Sequence, residues 1–102
     1  MADAGPMTEA MYYVLLALTR PDHGYGLMQR IKELTRGRVV MGPGTLYGLL
    51  TKLQKVGYIE LDRQDDRRKT YLITPAGREA LLNEYRRLCQ LVEDGEVLRD
   101  EI

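Results

Sequence analysis

Apolar residues recur along this chain in four helical stretches and one alternating stretch. The first run, Met11 to Leu18, is apolar nearly all round, with Tyr12, Tyr13, Val14, Leu15, Leu16 and Ala17 between its ends. Thr8 stands before it as an N-cap, so the spacing predicts a helix from there to about Thr19, buried on more than one side. In so small a protein a second subunit is expected to cover the second side. Arg20-Pro21-Asp22-His23-Gly24 is a turn by composition. Leu27, Met28, Ile31 and Leu34 then mark the inward side of a helix over about Tyr25 to Thr35. Gln29, Arg30, Lys32 and Glu33 are expected to face outward, and Gly37 to end the helix.

The third run organises the rest. Gly42-Pro43-Gly44-Thr45 opens it, and proline is tolerated in a first turn because its missing N–H has no helical partner there. Gly57 closes it, since glycine adopts the left-handed conformation of a helix end. Between them Leu46, Leu49, Leu50, Leu53 and Val56 form one apolar face. Opposite lie Gly44, Gly48, Thr51, Lys52 and Lys55, with Thr45 and Tyr47 on the flanks. Two glycines there expose backbone to close approach, and the side chains around them donate hydrogen bonds to phosphates or base edges. Arg38 to Met41, just upstream, reads as a short extended lead-in.

Next the period changes from helical to alternating. Tyr58 to Arg63 and Arg68 to Thr74 alternate apolar and polar around the turn chemistry of Gln64-Asp65-Asp66-Arg67, which predicts a β-hairpin with a cationic tip. Thr74-Pro75 starts a last helix reaching about Glu93. Its Leu81, Tyr85, Leu88 and Val92 are spaced four, three, four, a short heptad seam. Asp94-Gly95 weakens or ends it, and Val97 to Ile102 reads as a frayed tail. The expected class is therefore mainly α with a small β-hairpin. Residues 1–74 are expected to form a winged helix-turn-helix, with residues 1–6 disordered, and residues 75–102 a dimerisation helix and tail of the same compact unit.

Composition changes this picture in one respect. Fifteen basic and fifteen acidic residues cancel, but Arg20 to Lys69 holds eleven Lys/Arg against six Asp/Glu, and the remainder four against nine. A neutral total hides a basic middle. The length, 102 residues, suits one small domain. Cys89 alone excludes an internal disulfide, fits a reducing compartment, and reads as a small buried hydrophobe in the last helix. No run approaches the length of a membrane helix and no leader pattern is evident, so a cytoplasmic location is expected. One His, one Cys, no metal-ligand spacing, no phosphate loop and no nucleophile beside a base leave no catalytic, metal or cofactor site. His23 reads as structural.

A donor-rich helix face followed at once by a cationic hairpin can set the helix in a DNA major groove and the hairpin along neighbouring phosphates. The candidate base-facing residues are Thr45, Tyr47, Gly48, Thr51, Lys52 and Lys55, with the alternative that the Tyr47 ring packs under the wing. The candidate phosphate contacts are Tyr25, Gln29, Arg67, Arg68 and Lys69. Met11, Tyr12, Leu15, Leu81, Tyr85, Leu88 and Val92 are candidates for a dimer interface. Met11, Tyr12, Tyr13, Tyr85 and Leu88 either belong to that interface or line a small-molecule pocket between subunits.

Taken in order, Leu15-Leu16-Ala17-Leu18, His23-Gly24-Tyr25-Gly26, Gly44-Thr45-Leu46-Tyr47, Leu50, Leu53, Gly57-Tyr58-Ile59, Arg67 to Thr74 and Gly77 resemble the PadR-like transcriptional regulators. The resemblance covers most of the chain and implies a homodimeric repressor on a roughly palindromic operator. It also implies a C-terminal helix that packs on its mate and on the partner's first helix. The short C-terminal region looks like the small branch of the family. Gly48 departs from the proline common after the central tyrosine, and the chain has no tryptophan to stack flat drugs near a dimer centre. The alternative to DNA binding is a winged-helix module that binds protein.

Overall fold

The computed structural model describes residues 6–102; the disordered start expected for residues 1–6 falls, Pro6 apart, outside them. The elements run α1 (Glu9–Ala17), β1 (Asp22–His23), α2 (Gly24–Leu34), α3 (Pro43–Lys55), β2 (Ile59–Asp65), β3 (Arg68–Ile73) and α4 (Pro75–Asp94), then a 3-10 segment over Gly95–Glu101. Local chemistry sets their ends. The Thr8 hydroxyl accepts the Met11 N–H at 3.1 Å and the Thr74 hydroxyl accepts that of Gly77 at 3.0 Å, so both predicted caps form. Pro43 and Pro75 each occupy a first turn. At the end of α3, Gly57 takes φ +84°. There the Gly57 N–H donates to Gln54 O and the Tyr58 N–H to Leu53 O, at 3.1 and 2.9 Å, which satisfies two carbonyls the helix would otherwise orphan.

Helices α1, α2 and α3 pack against one another around Leu15, Leu18, Leu27, Ile31, Leu46, Leu50 and Leu53, all buried. Each such side chain removed from water contributes about 1.5–3 kcal/mol. Ile59, Tyr71 and Ile73 extend this core into the sheet, and Leu81 brings the start of α4 onto it.

The sheet has three strands, order β1-β3-β2, all antiparallel. The stretch that reads as a turn by composition thus supplies a third strand, with Asp22 opposite Tyr71 and His23 opposite Thr70. Two residues are too few to show an alternating period. In the hairpin, Asp65 faces Arg68 across a two-residue turn, Asp66-Arg67, with Asp66 at φ +52°. A bulge falls between Leu61 and Arg63, which leaves Asp62 as the extra residue.

Several expectations are corrected. Leu34 is half exposed and not inward, because α2 ends there and the chain turns away through Arg36 at φ +54° and Gly37 at φ +80°. Arg30, expected outward, turns in, as described below. Cys89 is exposed and not buried: beyond Leu81 the α4 helix runs past the core, and Cys89 only borders a shallow hollow against Tyr12 of α1. The tail past Asp94 is a 3-10 segment rather than a shapeless end.

Gly77 shows how tightly α4 docks. A Cβ there would lie 2.0 Å from the Tyr58 carbonyl oxygen, a backbone atom with nowhere to go. Helix propensity alone makes Gly→Ala a gain of about 1 kcal/mol. We expect Gly77→Ala to destabilise instead, by about 2 kcal/mol or more, because the overlap forces α4 off the sheet; urea denaturation midpoints at equal m-value check it.

Candidate nucleic-acid interface

The inward face of α3 leaves its other side no choice. With Leu46, Leu50 and Leu53 at 0%, 1% and 0% exposure, Thr45, Tyr47, Gly48, Thr51, Lys52 and Lys55 are all turned to solvent. Gly44 and Gly48 have open space where a side chain would stand. The Thr51 hydroxyl donates to Tyr47 O at 2.9 Å, so its methyl and lone pairs, and not its proton, face solvent. Among the described residues Lys52 and Lys55 join no ion pair.

The start of α2 is held by a compact polar cluster. The ring Nδ1 of His23 accepts the Gly26 N–H at 3.2 Å and so caps the helix, which agrees with the structural role read for this histidine. Asp22 accepts the His23 N–H at 2.8 Å and pairs with Arg30 at 2.8 Å, and Arg30 also donates to the Ala17 carbonyl. Asp22 and Arg30 side chains are only 15% and 20% exposed, so this pair works in a poorly solvated setting. One guanidinium thereby joins the end of α1, strand β1 and helix α2. Tyr25, in the first turn, is exposed, and so is Gln29, one turn on.

On the wing, Arg63 pairs with Asp65, which raises the pKa of its guanidinium further through the shared hydrogen bond. Arg67, Arg68 and Lys69 are exposed and, among the described residues, in no ion pair. Asp65 and Asp66 beside them partly offset their field.

These elements meet in one open cavity of about 370 Å³. Tyr25 comes to it from α2, Tyr47 and Thr51 from α3, and Arg67, Arg68 and Lys69 from the wing. His23, Gly24 and Tyr71 complete the lining, three residues that the sequence pattern did not place in a site. Burial, and next the nearby Tyr47, pushes the Tyr71 phenol up, so it stays protonated. Tyr71 was findable, because it shares the alternating run with Lys69. Gln29, Thr45, Gly48, Lys52 and Lys55 lie outside the cavity, the last four continuing along α3.

The profile of the transcriptional regulator PadR-like family matches residues 14–83, which spans α1 to the first half of α4. The chain belongs to the PadR-like family of transcriptional regulators. A PadR-like transcription factor from Bacteroides fragilis has the same fold, with a TM-score of 0.76 at 26% identity over 87% of this chain and 88% of that one. A transcriptional regulator of Escherichia coli, YqjI, is 31% identical over 84% of this chain, and a 37.1 kDa protein of a Streptomyces fradiae transposon 34% identical over 81%. This PadR-like chain spans 42% and 24% of those two relatives.

The PadR-like fold leaves a second face open. Tyr12, Tyr85, Leu88, Cys89 and Val92 surround a shallow apolar hollow between α1 and α4. A neighbouring hollow adds Tyr13, Glu84 and Arg87. Burial, then Tyr85 and Cys89, raises the Tyr12 phenol, and the hydrogen bond from Arg87 lowers Glu84. Of the residues expected at a subunit boundary, Tyr12, Tyr85, Leu88 and Val92 are reachable here. Met11, Leu15 and Leu81 are not: at 1%, 0% and 6% exposure they belong to the chain's own core, because α1 spends that side on α2, α3 and α4. Met11 likewise lines neither hollow.

Among the described residues no helix is long and apolar enough to cross a membrane, and no group of His, Cys, Asp and Glu could hold a metal ion. The Asp22–Arg30 pair yields a test. Arg30→Ala strands a poorly solvated carboxylate and a carbonyl, and we expect a loss of about 2 kcal/mol, below the full cost of breaking a buried pair because both groups retain some water; thermal and urea unfolding measure it.

Proposed function

We propose that the chain is a sequence-specific DNA-binding transcriptional regulator that acts in the cytoplasm as a homodimeric repressor on a roughly palindromic operator. Residues 1–74 form the DNA-binding unit and residues 75–102 the dimerisation element. One observation carries the reading: the exposed side of α3, the first turn of α2 and the exposed cations Arg67, Arg68 and Lys69 of the wing border one concavity. Thr45, Tyr47, Gly48, Thr51, Lys52 and Lys55 then lie toward the major groove, and Tyr25, Gln29, Arg67, Arg68 and Lys69 toward phosphates. Family membership supports the same reading.

The dimer rests on the apolar side of α4. Tyr85, Leu91 and Val92 are 56%, 52% and 69% exposed in the chain, and a second copy of the seam removes them from water. Tyr12, Tyr13, Tyr85 and Leu88 border hollows beside this seam, with Met11 in the core behind them. There a small-molecule effector would modulate DNA release.

Selection of bound duplexes from a random pool at defined salt tests the reading. Enriched paired half-sites, about one helical turn apart or a multiple of it, are expected. No enrichment, with weak and salt-insensitive association, would support a protein-binding winged helix instead. Arg68→Ala should weaken binding to all duplexes and reduce the salt slope by about one, and an unchanged slope removes it from the phosphate contacts. Lys52→Ala should weaken the selected operator more than an unrelated duplex, and equal losses remove it from the groove contacts. Leu88→Asp sets a charge in the seam and is expected to yield monomers by light scattering at unchanged helical content.

A further inference from the structure

Tyr47 stands on the recognition helix, yet its phenol points back across the fold. The ring lies against Gly24, the first residue of α2. A Cβ on Gly24 would come within 2.5 Å of Tyr47 Oη and 2.9 Å of Cζ. Gly24 is buried while Tyr47 is half exposed, so the ring covers the glycine on one side and meets solvent on the other. Among the described residues the one side-chain hydrogen bond to Tyr47, from Thr51, goes to its carbonyl and not to its hydroxyl. Tyr47 lines the same cavity as Arg67, Arg68 and Lys69. A hydroxyl without a hydrogen-bond partner among the described residues, in a cavity it shares with three cations, suits an anionic oxygen.

We propose that Tyr47 is a positioning residue that seats one backbone phosphate of the bound duplex between α2 and the wing, and does not read a base. The seat requires glycine at position 24. Any side chain there lifts the phenol out of the cavity. This inference rests on the DNA-binding reading above and refines it. The two flanks of α3 then have different roles. Tyr47 and Thr51, on the cavity side, serve the backbone, which leaves Thr45, Gly48, Lys52 and Lys55 to the groove.

Tyr47→Phe keeps the ring and removes only the hydroxyl. Loss of a hydrogen bond to a charged oxygen should weaken binding about tenfold. The loss should be equal for the selected operator and for an unrelated duplex, since phosphates carry no sequence. Because the substitution removes no cation, the salt slope should stay at its wild-type value, unlike that of Arg68→Ala. Gly24→Ala should weaken binding by at least as much, because the displaced atoms are the far end of a half-exposed side chain and can swing outward with the fold kept. The double variant Gly24→Ala/Tyr47→Phe should bind no more weakly than Gly24→Ala alone, since a displaced hydroxyl has nothing left to lose.

A changed base preference in Tyr47→Phe would make Tyr47 a base reader and overturn the inference. Unchanged affinity for both duplexes, or losses that add in the double variant, would overturn it as well. Should Gly24→Ala unfold by circular dichroism, Tyr47→Phe alone decides. A wild-type chain that binds no duplex refutes the DNA-binding reading itself, a separate result from a wild type that binds and a Tyr47→Phe that binds equally well.

Discussion

Burial of three leucines on one side of α3 is the constraint on which this molecule depends. Leu46, Leu50 and Leu53 fall at the meeting point of α1, α2 and the sheet, and no rotation of the helix keeps all three out of water except the one observed. The orientation of every outward residue follows. Polar residues on an amphipathic helix ordinarily mean only solvation. Here they mean more, because the same core that fixes the helix also fixes what stands next to it. Ile59 and Ile73 pin the base of the wing, and the Ile73 N–H donates to the Leu18 carbonyl at 3.3 Å.

Around this centre, small polar devices join elements that apolar packing alone would leave free to slide. The Thr74 hydroxyl both caps α4 and donates to the Gly57 carbonyl at 2.6 Å, so one side chain ends α3 and begins α4. Arg30 does the equivalent for α1, β1 and α2. On the opposite flank Arg38 reaches back to α1, at 2.6 Å from the Tyr13 hydroxyl and 3.2 Å from Glu9. That cluster is well exposed, so its energetic weight is small and its effect is mainly on geometry.

Much of the architecture was legible in the sequence because it rests on local signals. Caps at Thr8 and Thr74, proline at the helix starts, glycine at position 57 and the switch of period after it give the helices and the hairpin within a few residues. What was hidden depends on tertiary partners. Nothing in Asp22-His23 announces a strand, because its only reason to be extended is β3, some fifty positions away. Arg30 follows a surface pattern and is drawn inward by Asp22 and an orphan carbonyl. The apolar α1 is buried on several sides, as its pattern implies, but α2, α3 and α4 of the same chain take the sides where Met11 and Leu15 were expected to meet a second subunit. The outer face of α3 was readable as a surface, while the Tyr47–Gly24 contact was not, since it joins two helices through one missing methyl.

Strand order gives the hairpin an asymmetry with an evolutionary outcome. β3 is bonded on both sides at Thr70 and Tyr71, so its spacing is set twice there, whereas β2 is an edge that has already absorbed one additional residue at Asp62. Length drift in this region should therefore accumulate on the edge strand and in the turn, where the ladder can re-form by bulging. Arg68 and Lys69 directly precede Thr70 and Tyr71, the two residues that β1 also holds, so the strand they extend from stays anchored through such drift. Diversification of the wing's reach need not disturb the placement of its charge.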